Sequence, residues 1–106
     1  MRIEETYPHS TEELKSRIDT FVDSLKSLPL PGGVSVSNIS KKWEGDRMPF
    51  SFHAAKGFFG TSISGDIVVS GSTVILDLAI PALVSSFVNE GDLRTSVIEM
   101  MDKILR

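Results

Sequence analysis

The residues that decide the fold run from Trp43 to Pro81: WEGDRMPFSFHAAKGFFGTSISGDIVVSGSTVILDLAIP. Three apolar-alternating runs lie in this stretch. Met48, Phe50, Phe52 and Ala54 fall on one parity, with Pro49, Ser51 and His53 between them. Ile63, Gly65, Ile67 and Val69 share a face in the next run, and Val74, Leu76, Leu78 and Ile80 in the third. Successive strand side chains point to opposite faces, so each run offers one apolar face to a core. Gly45-Asp46, Gly57 to Gly60 and Ser70-Gly71-Ser72 punctuate the runs. Glycine accepts the positive φ that tight hairpins need. The connections are too short for helical crossovers, so neighbouring strands are expected to be antiparallel.

Before this stretch, Val34 to Glu44 reads as the first strand of the sheet, but its alternation changes phase. Val34 and Val36 are even-numbered, while Ile39 and Trp43 are odd. A β-bulge near Asn38 would restore one buried face by inserting one residue, and a pair of shorter strands is the alternative. Pro49 lacks the N–H for a ladder bond, which predicts an unpaired edge of the second strand at that point. Further upstream, Ser10-Thr11-Glu12-Glu13 is a capping-box signature. It opens a helix with an apolar stripe of Leu14, Ile18, Phe21, Val22, Leu25 and Leu28, ended by Pro29 and Pro31, with Gly32-Gly33 turning the chain. Met1 to His9 reads as a polar lead-in, extended at Tyr7-Pro8.

After Pro81 the period changes again. Ala82 to Asn89 predicts a short helix closed by Gly91, and Asp92 is placed to cap a last helix carrying Leu93, Val97, Met100, Met101, Ile104 and Leu105. One longer helix bent at Gly91 is the alternative. The order is α-β-β-β-β-α. The predicted architecture is a single two-layer α+β domain, a four-stranded antiparallel meander with the N- and C-terminal helices on one face.

Composition narrows the function classes. The 106 residues suit one domain with one core. A net charge of −3, with Lys41-Lys42 as the nearest thing to a basic patch, argues against nucleic acid as a partner. Cysteine is absent, and the two histidines, His9 and His53, lack metal-ligand spacing, so neither metal nor other cofactor is expected. MRIEETYPHS has no secretory pattern, and no apolar run approaches the roughly 20 residues of a membrane span. The expected location is cytoplasmic.

The chain resembles a small family, the polyhydroxyalkanoic acid system proteins, encoded near polyester-granule genes in bacteria. The resemblance rests on His9-Ser10 at the helix start, Trp43-Glu44-Gly45-Asp46, Phe50-x-Phe52 and Gly57-Phe58. It continues through Gly65-Asp66-Ile67-x-Val69, Val74-x-Leu76-x-Leu78, Ile80-Pro81-Ala82-Leu83 and the final helix, and so covers nearly the whole chain in order. The connection from Leu28 to Gly33 and the tripeptide Phe58-Phe59-Gly60 depart from the family pattern. The resemblance implies association with polyester storage through gene neighbourhood, and it carries over no catalytic residue.

Several residues stand out as candidates. His9 precedes a helix start, where it would meet a carboxylate or polar ligand; the plainer reading is an anchor for the N-terminal arm, since no nucleophile or partner base is specified nearby. His53 lies on the polar parity. Glu44 and Asp46 sit in a turn and show no sign of a catalytic pair across a cleft. Trp43 reads as core or core-edge packing with its N–H satisfied. With Met48, Met100 and Met101 it would also suit an adaptable apolar pocket. Gly57-Phe58-Phe59-Gly60 is the least ordinary feature. A GxxG loop that clamps a nucleic-acid backbone needs a helical context and basic charge, and both are missing here. Alternation puts Phe58 and Phe59 on opposite faces, so at least one is expected to be exposed and to contact a partner protein, a lipid or a granule surface.

The expectation is a non-enzymatic accessory or interaction protein, associated with polyester granules. A carrier for an apolar small molecule or lipid is the alternative, and an apolar cavity of roughly 300 Å³ or more would favour it. Open sheet edges predict a symmetric dimer through an edge or the open sheet face.

Overall fold

The computed structural model describes residues 1–27, 33–86 and 88–106. The elements are β1 (Arg2–Thr6), α1 (Thr11–Ser24), β2 (Ser35–Lys41), β3 (Arg47–Lys56), β4 (Phe59–Ser70), β5 (Thr73–Ala79), α2 (Ala82–Ser85) and α3 (Glu90–Leu105). The sheet is antiparallel throughout, with the strand order β1-β5-β4-β3-β2.

The expected meander is therefore present as β2 to β5, but the sheet has five strands rather than four. The additional strand is β1, within the segment read as a polar lead-in. Arg-Ile-Glu-Glu-Thr offers Ile3 as its one strongly apolar side chain, so no alternation is visible. Its partner, β5, lies far along the sequence, with Ile3 opposite Leu76. The edge strand completes a buried row across the sheet, Ile3–Leu76–Ile67–Met48, one side chain from each of four strands.

The phase change in β2 is the expected bulge. Ser37 pairs with His53 and Ser40 with Ser51, so three steps along β2 answer two along β3. Asn38 takes φ +53°, a left-handed conformation that asparagine tolerates better than most residues. Pro49 lies in an interior strand, opposite Asp66 of β4, at the place where the β2 ladder gives out. Its carbonyl accepts from Lys42 N (3.3 Å), and without an N–H it returns no bond. Each hairpin closes through two residues with glycine first, Gly45, Gly57 and Gly71, at φ +66°, +60° and +61°. That order suits the turn whose twist matches paired strands.

Helix α1 starts where the capping signature puts it, with Ser10 Oγ accepting from Glu13 N (3.2 Å). The Glu13 carboxylate engages Arg17 Nε (2.9 Å). The predicted stripe is buried at Leu14, Ile18, Phe21, Val22 and Leu25. Leu28, Pro29, Pro31 and Gly32 lie outside the described residues. At the other end, the short helix covers only Ala82–Ser85. The last helix begins earlier than predicted, with Asn89 rather than Asp92 as its cap. Asn89 Oδ1 accepts from Gly91 N (2.8 Å) and Asp92 N (3.2 Å), so Gly91 is inside the first turn rather than a stop.

Both long helices bury their apolar stripes in one core with the even positions of β3 and the odd positions of β4. In that row Gly65 stands between Phe50 and Leu78. A Cβ there would sit 2.4 Å from the Asp77 carbonyl and 3.0 Å from the Phe50 ring, so only glycine fits.

Candidate functional site

The strands run between two ends of the molecule. At one end lie the β1–α1 junction and the turns at Gly45 and Gly71; at the other lie the β3–β4 turn and α2. The candidate site is at the second end, and unequal strand lengths create it. β5 stops at Ala79, opposite Ser64, so residues 59–63 of β4 continue past it paired only with β3. The β4 arm of the hairpin therefore runs on past β5, while β2 stays paired with the β3 arm as far as Ala55.

Its tip carries Phe58 and Phe59. Phe58 is fully exposed and Phe59 is 57% exposed, and these are the exposed large hydrophobic side chains among the described residues. Phe58 occupies the second turn position after Gly57. Phe59 pairs with Lys56, and both continue the parity that faces the core further along the strands. The core-facing side of the hairpin thus runs from Phe52 and Ala54 outward to Lys56, Phe59 and Thr61.

Beneath it, between the sheet and the helices, lies an apolar cavity of about 60 Å³, well under the roughly 300 Å³ that would favour a carrier. Phe50, Phe52, Ala54 and Ile63 form its sheet side. Phe21, Val22 and Leu25 of α1 and Leu93, Val97 and Met100 of α3 form its helix sides. Every described wall residue is apolar. A shallow groove, lined by Lys56, Phe59, Thr61 and Leu83, adjoins the cavity and shares Val34, Ala54 and Val84 with it. The groove's polar members were not singled out in the sequence. Lys56 was legible there, however, as a charge ending the apolar parity of Met48 to Ala54.

The other candidates are dispersed. Of the methionines, Met100 lines the cavity, while Met48 and Met101 are fully buried in the closed core. Trp43 is half-buried against that core and lies outside the cavity wall. Its Nε1 donates to Asp19 Oδ1 (3.0 Å), and Lys15 Nζ stands 5.0 Å from the ring centroid. Lys41 joins the same cluster, reaching Asp23 at 2.9 Å and Asp19 at 3.1 Å. Burial pulls its pKa down, but hydrogen bonds to the Asp23 and Asp19 carboxylates outweigh burial and hold the ammonium above its usual range. This network fastens α1 to β2 and the following segment.

His9 is half-buried, and its arm is anchored through the backbone rather than the ring. Its carbonyl accepts from Ser72 Oγ (2.9 Å), while Nε2 is buried with no partner among the described residues. His53 lies on the face away from the helices, its ring across Gly60, where a Cβ would come within 2.6 Å of Nε2. Near His9, the fully buried Tyr7 donates its hydroxyl to Asp102 Oδ1 (3.0 Å). Burial first, then that hydrogen bond and the charges of Asp102 and Glu5, raise the Tyr7 phenol above its usual range, with Arg106 opposing.

Among the described residues, no three His, Asp or Glu side chains gather as metal ligands, and no helix is long and apolar enough to cross a membrane. Comparison with known protein families, with curated proteins and with solved structures gives no match.

Proposed function

We propose that this is a non-enzymatic accessory protein that docks on an apolar particle surface through the tip of the β3–β4 hairpin. The observation that carries the reading is the pair Phe58 and Phe59, adjacent and exposed at the tip of a hairpin whose β4 arm runs past β5. The sequence resemblance to granule-region proteins favours a polyester inclusion as that surface.

The magnitudes fit a reversible contact. Covering one phenyl group removes roughly 150 Å² from water, worth roughly 4 kcal/mol at 25 cal/mol per Å². One ring alone would then give about millimolar affinity, and two about micromolar at the upper limit. Both rings are therefore needed, and losing either one is expected to release the protein.

The test is co-sedimentation with isolated polyester granules, comparing wild type with Phe58→Ser and using circular dichroism as the folding control. Wild type is expected to pellet with the granules and the folded variant to stay in solution. Equal pelleting of the two would remove the hairpin from the mechanism. A wild type that ignores granules but binds phospholipid vesicles would move the surface from polyester to lipid.

A further inference from the structure

We propose that His53 makes the docking of the hairpin tip depend on pH: the neutral imidazole lies within the footprint, and its protonation releases the protein. This rests on the docking reading above and adds its regulation.

The geometry of the ring comes first. His53 lies on the open face of the sheet, opposite Ser37 of β2 and Ser62 of β4. Its ring does not stay over that row. It leans along the hairpin towards the tip and packs on Gly60, where a Cβ would come within 2.6 Å of Nε2 and 2.9 Å of Cε1. Glycine at that position leaves the space that the ring occupies. Gly60 is two residues from the fully exposed Phe58, so a surface that covers the tip also meets the open side of the imidazole.

Charge decides the rest. The side chains around the ring are neutral: Ser37 from β2, Ser51 and Ala55 from β3, Ser62 and Ser64 from β4. No helix covers this face. Asp66, the acid next along β4 on the same face, lies four residues beyond Ser62 and is held by Arg47 at 2.8 Å. Lys56 is on the other side of the hairpin, and an ammonium does not titrate between pH 5 and 8. Histidine is the side chain that ordinarily changes charge in that range. A neutral imidazole meets an apolar surface at far smaller cost than an imidazolium, which would lose its hydration with no carboxylate beside it as a replacement. The neutral form therefore docks and the charged form does not.

The experiment is co-sedimentation of the intact protein with isolated polyester granules at pH 8 and pH 5, with circular dichroism at both. It compares wild type with His53→Gln, His53→Lys and His9→Gln. The neutral fraction of a histidine falls about tenfold for each pH unit below its titration, so wild type is expected to bind at least about tenfold more weakly at pH 5. His53→Gln cannot take up the proton. Its ratio of binding between the two pH values is expected to fall to about one, whatever its level at pH 8. His53→Lys carries the charge throughout and is expected to bind weakly at both. His9, the chain's other histidine, lies at the opposite end of the sheet, and His9→Gln is expected to keep the wild-type ratio. A folded His53→Gln with the wild-type ratio, or a wild type that docks equally at both pH values, would overturn the proposal and leave tip docking standing. A wild type that pellets at neither pH would overturn the docking reading itself, and this proposal with it.

Discussion

The two ends of the sheet share β3, β4 and β5 and both helices, yet they are closed in different ways. At the end where α1 starts and α3 finishes, large side chains meet across the layers: Met48, Ile67, Leu14, Met101 and Leu105 are fully buried. Polar contacts fasten that end from the outside. Tyr7 ties the exit of β1 to Asp102, Arg17 of α1 donates to the Ile104 and Arg106 carbonyls (3.3 Å each) that end α3, and Lys15 approaches Asp46 at 3.6 Å. At the other end the core-facing positions of the hairpin shrink to Ala54 and Thr61, the cavity opens, and two phenylalanines face solvent. The difference teaches that one continuous core is finished for stability at one end and left incomplete at the other, where the proposed binding lies.

That contrast can be broken first by Met48→Ala. The side chain is fully buried in the closed end, so the cost is expected to be about 3–4 kcal/mol, a large share of the roughly 5–15 available to a domain of this size. A urea melt shifted by less than about 1 kcal/mol would mean that this end is no tighter than the other.

A matched pair sharpens it. Val74→Ala at the closed end is expected to cost about 2–3 kcal/mol, while the same deletion at Val84, on the cavity wall, is expected to cost about 1 because its neighbours are already incomplete. Equal losses in parallel melts would erase the distinction.

Trp43 comes next. Full burial would put Trp43→Ala at about 3–5 kcal/mol. The side chain is instead half-buried over the core, with its N–H on Asp19, so about 2 kcal/mol is expected. Its fluorescence is expected to report the α1–β2 fastening, and Asp19→Ala is expected to shift the emission.

Tyr7→Phe comes last, at about 1–2 kcal/mol at neutral pH, for a hydrogen bond to a carboxylate. The sign of the pH dependence follows from the raised phenol pKa. The folded state favours the protonated form, so its contribution is whole below the ordinary tyrosine pKa of about 10 and is lost as pH rises above it. Lys41, also raised, loses its contribution in the same alkaline direction. Tyr7 is the chain's one tyrosine, so Tyr7→Phe is expected to flatten part of the alkaline loss, leaving the Lys41 share. An unchanged slope in melts at pH 8 to 11 would show that the phenol is not held by Asp102.

Much of the architecture was legible along the chain because its signals are local. Alternation marks β3, β4 and β5, glycine marks each turn, Ser10 marks the start of α1, and the phase slip around Asn38 marks a bulge. The tip of the candidate site was legible for the same reason: two phenylalanines following a turn glycine cannot both enter a core across a pleated strand. What sequence could not supply was anything decided by distant partners. β1 carries one strongly apolar residue and becomes a strand only because β5 offers it an edge. The start of α3 shifted because an asparagine and an aspartate three residues apart are equally good caps in isolation. The methionines and Trp43 looked alike as pocket formers, but only the crossing of α1 and α3 over the sheet put Met100 on a cavity and sealed Met48 and Met101 away from it. The chain by itself determined its hairpins, its apolar faces and its exposed tip, since each depends on neighbours in sequence. Which end of the core closes and which stays open was decided by tertiary packing, because it depends on volumes that meet from strands and helices far apart in sequence.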